Sequence, residues 1–118
     1  MADLLIDTDV FIDHLRGVRR LEVPRRKSLY FSVITRCELL SGRGVEEAVV
    51  EKLLVPFHEL VVDRAVADRA GRLRRHIEIR TPDALIAATA LEHHLTLVTR
   101  NVRDFRGVPA LRIETPRN

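Results

Sequence analysis

Short apolar runs alternate along this chain with longer stretches whose apolar residues recur every three or four positions, and few folds accommodate that alternation. Leu4-Leu5-Ile6, running into Asp7, reads as a buried strand; Leu29-Tyr30-Phe31-Ser32-Val33, residues 59–62 and Leu95-Thr96-Leu97-Val98 read as three more. Helical segments lie between them: residues 9–16, closed by Gly17, then a stretch from the second strand to Ser41, closed by Gly42. Val45, Ala48, Val49 and Leu53 mark an amphipathic helix over 45–55 ahead of Pro56, and Val66, Ala70, Leu73 and Ile77 mark one face of a highly charged helix. Thr81-Pro82-Asp83 has the form of a helix start, with threonine as cap, proline at the first helical position and an acid in the first turn; this helix runs to His94. Residues 101–105 read as a turn or short helix, and 110–113 as a last edge strand.

Strands separated by helices pair in parallel, and right-handed crossovers lay the helices over both faces of the sheet. The expected class is therefore α/β, with a mostly parallel sheet of four to five strands and its ligand site at the carboxyl ends of the strands. A length of 118 residues with 46% apolar content suits one folded domain over 1–118. No apolar run reaches the ~18 residues a bilayer demands and the amino-terminus lacks the pattern of a signal peptide, so a cytoplasmic protein without membrane contact is expected. Cys37 is the single cysteine, which excludes an internal disulfide and a thiolate zinc cage.

Four acids stand where apolar segments meet turns or helices: Asp7, Glu38, Asp83 and Asp104. In an alternating fold such junctions gather at one sheet edge, where clustered carboxylates repel one another unless a cation joins them. Singly, each has a plainer explanation. Asp7 and Asp83 suit helix caps, Asp104 suits a turn, and Glu38, beside the apolar stripe of Val33, Cys37 and Leu40, suits an ion pair with an arginine such as Arg36. Jointly they suggest a cage of oxygen ligands for Mg²⁺ or Mn²⁺, which lowers the pKa of a bound water and neutralises charge on a phosphodiester. Asp9 and Asp13, four apart, read as a solvated helix face, with Asp9 a candidate outer ligand. Thr8 and Thr99 serve equally well as caps or as hydroxyls that hold a ligating carboxylate. His93 and His94 close a helix and have no ligand spacing to a second histidine.

The net charge is +3 and the pI about 9.7, and of 20 basic residues only Lys27 and Lys52 are lysines. The bias toward arginine is compatible with a phosphate-bearing partner, and equally with genome base composition. The basic stretch 16–27 suits an RNA path, a protein partner or a solvated surface.

Three segments together resemble the PIN domain, and within it the VapC-type toxins of bacterial toxin-antitoxin pairs: Leu4-Leu5-Ile6-Asp7-Thr8-Asp9-Val10, Pro82-Asp83-Ala84-Leu85-Ile86-Ala87-Ala88-Thr89-Ala90, and Leu97-Val98-Thr99-Arg100-Asn101-Val102-Arg103-Asp104-Phe105. The resemblance covers nearly the whole chain. It implies a three-layer α/β/α sandwich and a Mg²⁺- or Mn²⁺-dependent endoribonuclease that cuts structured RNA such as transfer or ribosomal RNA. It also implies a homodimer held in a larger assembly by a VapB-type antitoxin. The family's first three acids carry over onto Asp7, Glu38 and Asp83. The fourth falls on Asp104, favoured for its charge, or on Asn101.

Two other readings use the same residues. A receiver-like phospho-acceptor module has about this length and an acidic metal pocket, and Asp63 resembles its acceptor. It needs a lysine after the last core strand, however, and both lysines lie far too early. A PIN fold without catalysis would serve as a binding scaffold, although here every acid is present.

Overall fold

The computed structural model describes residues 3–22 and 27–116. In chain order the elements are β1 (Leu4–Ile6), α1 (Thr8–Leu15), β2 (Leu29–Ser32), α2 (Val33–Leu40), α3 (Glu47–Leu54), β3 (His58–Leu60), α4 (Arg64–His76), α5 (Thr81–Glu92), β4 (Thr96–Val98), α6 (Val102–Phe105) and β5 (Ile113–Glu114). All strand pairings are parallel, in the order β3-β2-β1-β4-β5. The chain thus builds outward from β1 to β3, then crosses back to lay β4 on the other side of β1. That reversal opens a crevice between the carboxyl ends of β1 and β4, the place where such sheets bind ligands.

Side chains on a strand alternate between faces, and β1 shows the consequence. Leu4 and Ile6 join a core with Val10, Phe11, Phe31, Val50, Leu54 and Phe57, while Leu5 joins another with Val66, Ala70, Leu97, Phe105 and the alanines of α5. One core lies under α1 and α3, the other under α4, α5 and α6, which makes the three layers. Phe11 meets Phe57 edge to face at 5.0 Å between ring centres and Phe31 at 6.3 Å, so aromatic contacts concentrate on the first face. On the second, Ala84, Ala87, Ala88 and Ala90 are fully enclosed, and their small side chains let α4 pack closely on α5.

Several boundaries differ from the sequence reading. The third strand comes earlier, at His58–Leu60, because its register is fixed by Tyr30, Phe31 and Ser32 on β2, and Val61 is left exposed. The last strand is not 110–113: Ala110 takes a left-handed φ of 65°, which breaks an extended run, and pairing begins only at Ile113 opposite Leu97. Helix α5 is capped by Arg80 rather than Thr81, since the Arg80 carbonyl already accepts from Ala84 N at 2.9 Å. In α2 the buried positions are Thr35 and Leu39, and Cys37 is exposed, so the stripe assigned to Val33, Cys37 and Leu40 is rotated from the true inner face. Gly17 does close α1, with a φ of 70°. Residues 23–26, part of the basic stretch, lie outside the described residues. No helix among the described residues is long and apolar enough to cross a membrane.

Candidate active site

Asp7 follows β1 directly, and its backbone N–H bonds the carbonyl of Val98 at the end of β4, so the residue is fixed at the crevice. It is both the cap of α1 and a buried acid. Oδ1 accepts from Thr8 N at 2.8 Å, while Oδ2 accepts from the hydroxyl of Thr99, the residue that follows β4, at 2.8 Å. The carboxyl is 5% exposed. Burial, followed by the charge of Asp9, raises its pKa to about 7; the bonds from Thr99 and Thr8 oppose the shift, and the charge of Asp83 adds to it.

Thr99 carries one hydroxyl proton, and two carboxylates lie within reach of it. Asp7 is nearer, and Asp9 Oδ2 stands at 3.3 Å. The hydroxyl oxygen accepts from Asn101 N at 3.0 Å, while Asp9 Oδ2 also accepts from Arg100 N at 3.0 Å. Asp9 Oδ1 is buried and has no hydrogen-bond partner. Burial raises the pKa of Asp9 in turn, against those bonds. Asp13 pairs with Arg100 Nε at 2.7 Å. Asp9 and Asp13 are therefore not a solvated face: α1 turns both toward the loop after β4, where Arg100 receives them.

Glu38 reaches the crevice from the second turn of α2. Its Oε1 accepts from Thr8 Oγ1 at 2.7 Å. Since the one proton of Thr8 goes to Glu38, the 2.9 Å contact with Thr35 Oγ1 must have Thr35 as donor. Two buried threonines therefore align the carboxylate. Arg36 does not serve it, because that guanidinium faces Glu51 and Glu59 on the outer surface. Asp83, in the first turn of α5, is also buried, and burial raises its pKa. Arg80 opposes that rise, while the charges of Asp104 and Glu38 reinforce it. Asp104 itself is exposed on α6, and so is Asn101, whose backbone is committed to Thr99.

The four acids singled out in the sequence thus share one electrostatic field: Asp7 feels Asp83, and Asp83 feels Asp104 and Glu38. Thr8 and Thr99 each hold a carboxylate by the hydroxyl, and the cap of α1 is Asp7. Thr35 and Arg80 were not anticipated. Thr35 lies three residues before Glu38 and so on the same helix face, a spacing that carries the signal in principle. Among the described residues no three metal-ligating side chains already stand in coordination geometry. In kind the donors nonetheless fit a hard divalent cation. All are carboxylate oxygens, those of Asp7 and Asp83 on buried residues, and among the described residues buried Asp9 Oδ1 has no hydrogen-bond partner.

The receiver-like reading finds no support in this geometry. Asp63 follows the edge strand β3 and caps α4 by accepting from Val66 N at 2.9 Å, and the position after β4 is Thr99 rather than lysine.

A family model described as PIN domain matches residues 4–111. Ribonuclease VapC10 of Mycobacterium tuberculosis is 41% identical over 113 residues, covering 86% of this chain and 85% of its own length. The tRNA(fMet)-specific endonuclease VapC of Salmonella typhimurium is 30% identical, covering 97% of this chain and 98% of its own. Among solved structures, a chain of a toxin-antitoxin complex from Klebsiella pneumoniae superposes with a TM-score of 0.79 at 34% identity, covering 97% of this chain and 98% of that one. Matched along nearly its whole length in sequence and in backbone, the chain belongs to the PIN-domain family and, within it, to the VapC toxins.

Proposed function

We propose that this protein is a divalent-metal-dependent endoribonuclease, with Mg²⁺ or Mn²⁺ as the ion, and acts as the toxin of a type II toxin-antitoxin pair in the cytoplasm. The observation that carries the reading is the convergence of Asp7, Glu38, Asp83 and Asp104 in one under-neutralised field at the β1–β4 crevice. Asp7, Asp83 and Asp104 are the ligands that would hold the ion, with Glu38 as a further ligand or as the base that orients the attacking water. When bound, the ion supplies Lewis-acid activation of water and neutralises charge on the phosphodiester.

The chain's own residues do the positioning. Thr99 fixes the rotamer of Asp7 and favours its ionised form. Thr8, itself held by Thr35, holds Glu38 by Oε1, leaving Oε2 to accept a proton from water. Hydrolysis then forms one phosphorus–oxygen bond from water and breaks the bond to the leaving ribose oxygen, which must take up a proton. The substrate is structured RNA, with transfer RNA the first to test in view of the Salmonella relative. A VapB-type antitoxin is the partner, in keeping with the Klebsiella complex.

The test is to map cleavage sites on total cellular RNA with the purified protein in Mg²⁺ or Mn²⁺. Discrete sites that vanish with EDTA and with Asp83→Asn are expected. Cleavage that persists in both controls would sink the reading.

A further inference from the structure

We infer that Arg80 is a substrate-binding residue whose guanidinium moves from Asp83 to an RNA phosphate at the mouth of the acid cluster. This rests on the nuclease reading above and adds a residue that the reading does not require.

Arg100 and Arg80 both act on acids of the cluster, and they are built differently. Arg100 is largely enclosed, ion-paired through Nε with Asp13 and hydrogen-bonded through its backbone N–H to Asp9. Its place is fixed from two directions. Arg80 has a side chain 76% exposed, beside an Asp83 side chain only 12% exposed. Its backbone is pinned as the cap of α5, so the residue is a fixed pivot with a free arm.

The contact that the arm makes is poor. Nε and Nη2 both point at Asp83 Oδ2, at 3.4 and 3.3 Å, whereas a charge-assisted bond lies near ~2.8 Å and a fork engages both oxygens. Arg36 shows what a full fork looks like in this same molecule: its Nε and Nη2 meet the two oxygens of Glu59 at 2.8 and 2.7 Å. Arg80 therefore spends little of its hydrogen-bonding capacity on Asp83, and Asp83 Oδ1 is left clear of it.

A phosphodiester approaching this crevice meets the negative field of Asp7, Asp83, Asp104 and Glu38. The guanidinium plane matches two phosphate oxygens as well as it matches a carboxylate, and Arg80 is an exposed cation acting on Asp83. As Asp83 turns to its ligand role, the arginine loses an acid partner. A phosphate oxygen then replaces it.

The test compares Arg80→Ala, Arg80→Gln and Arg80→Lys in a Glu38→Gln background, which keeps turnover off. Binding of fluorescein-labelled bulk transfer RNA in Mn²⁺ is measured by anisotropy across a salt series. Loss of one phosphate contact should weaken binding about tenfold and flatten the slope of log affinity against log salt by ~0.7–0.9, depending on whether the contacted RNA is single- or double-stranded. Arg80→Lys should restore the slope and only part of the affinity, since it returns the charge without the fork. Arg80→Gln keeps an aliphatic stem and a polar end without the charge and should behave as Arg80→Ala.

A residue that merely shields Asp83 would change Mn²⁺ affinity and leave the RNA slope alone. An unchanged slope in both neutral variants therefore overturns the inference. Cleavage of the same RNA by the Glu38-bearing protein is measured in parallel. If cleavage is present and the slope unchanged, Arg80 alone is misassigned; if the slope falls and no cleavage occurs, the nuclease reading is what fails.

Discussion

Arg36 and the crevice acids are opposite arrangements of charge on one sheet. Arg36, on α2, forks onto Glu59 of β3 and bonds Glu51 of α3, so three elements are joined through one cation shared by two acids. The hydrogen bonds that Arg36 donates hold Glu59 below its ordinary pKa, and the same bonds raise Arg36 above its own. In the crevice the balance runs the other way. Asp7, Asp9 and Asp83 are all raised, mainly by burial, and Arg80 only partly offsets the rise at Asp83. Matched charge ties elements together, whereas unmatched charge costs stability and confers affinity for a cation.

The sharpest way to break that contrast is to neutralise the crevice. Asp7→Asn or Asp83→Asn should lower RNA cleavage at least ~10²-fold while circular dichroism shows an intact fold. A drop confined to tenfold would mean that the acid shapes the site without serving the reaction.

The same substitution should have the reverse effect on stability. With a pKa of about 7 when folded against 3.8 in the unfolded chain, Asp7 binds more proton in the native state. Its contribution is therefore most favourable below about pH 4 and is lost as pH rises through about 7. In EDTA, Asp7→Asn should be the more stable protein at pH 8, by as much as a few kcal/mol, with the gap closing below pH 5 in urea titrations. Equal stability at pH 8 would show that Asp7 is not strained there.

Thr99→Val removes the hydroxyl that favours ionised Asp7, so cleavage should fall about tenfold and the acidic limb of its pH profile should move upward. An unshifted limb would remove Thr99 from the account. The smallest effect belongs to the outer surface: Glu59→Gln should cost at most ~1 kcal/mol and leave cleavage unchanged, because that pair is partly exposed and screened.

Much of this organisation is legible in the sequence because strand and helix periods are local. β1, β2 and β4 are short apolar runs bounded by polar turns, and Asp7 and Asp83 mark the starts of α1 and α5. What escaped depends on tertiary placement. Asp9 and Asp13 look solvated on an isolated α1, and only the return of Arg100 after β4, some ninety residues later, makes them inward-facing. The stripe on α2 was misread by one helix face, since an eight-residue helix offers too few apolar positions to fix its phase. The start of β5 depends on the left-handed turn at Ala110, where alanine carries no turn signal. Thr8 and Thr99 were ambiguous for a physical reason: a threonine at a strand end caps a helix and steadies a carboxylate with the same hydroxyl.

The central claim is that an acid cluster at the β1–β4 crevice, with buried Asp7 held near pKa 7 at its centre, awaits a divalent cation. Titration calorimetry with Mn²⁺ at pH 7, repeated in buffers of different ionisation enthalpy, tests it most directly. The account predicts binding accompanied by release of a fraction of a proton, because the ion must take Asp7 in its ionised form, and both the affinity and the proton release should collapse in Asp7→Asn. Binding of equal strength in Asp7→Asn, or binding without proton release, would contradict it.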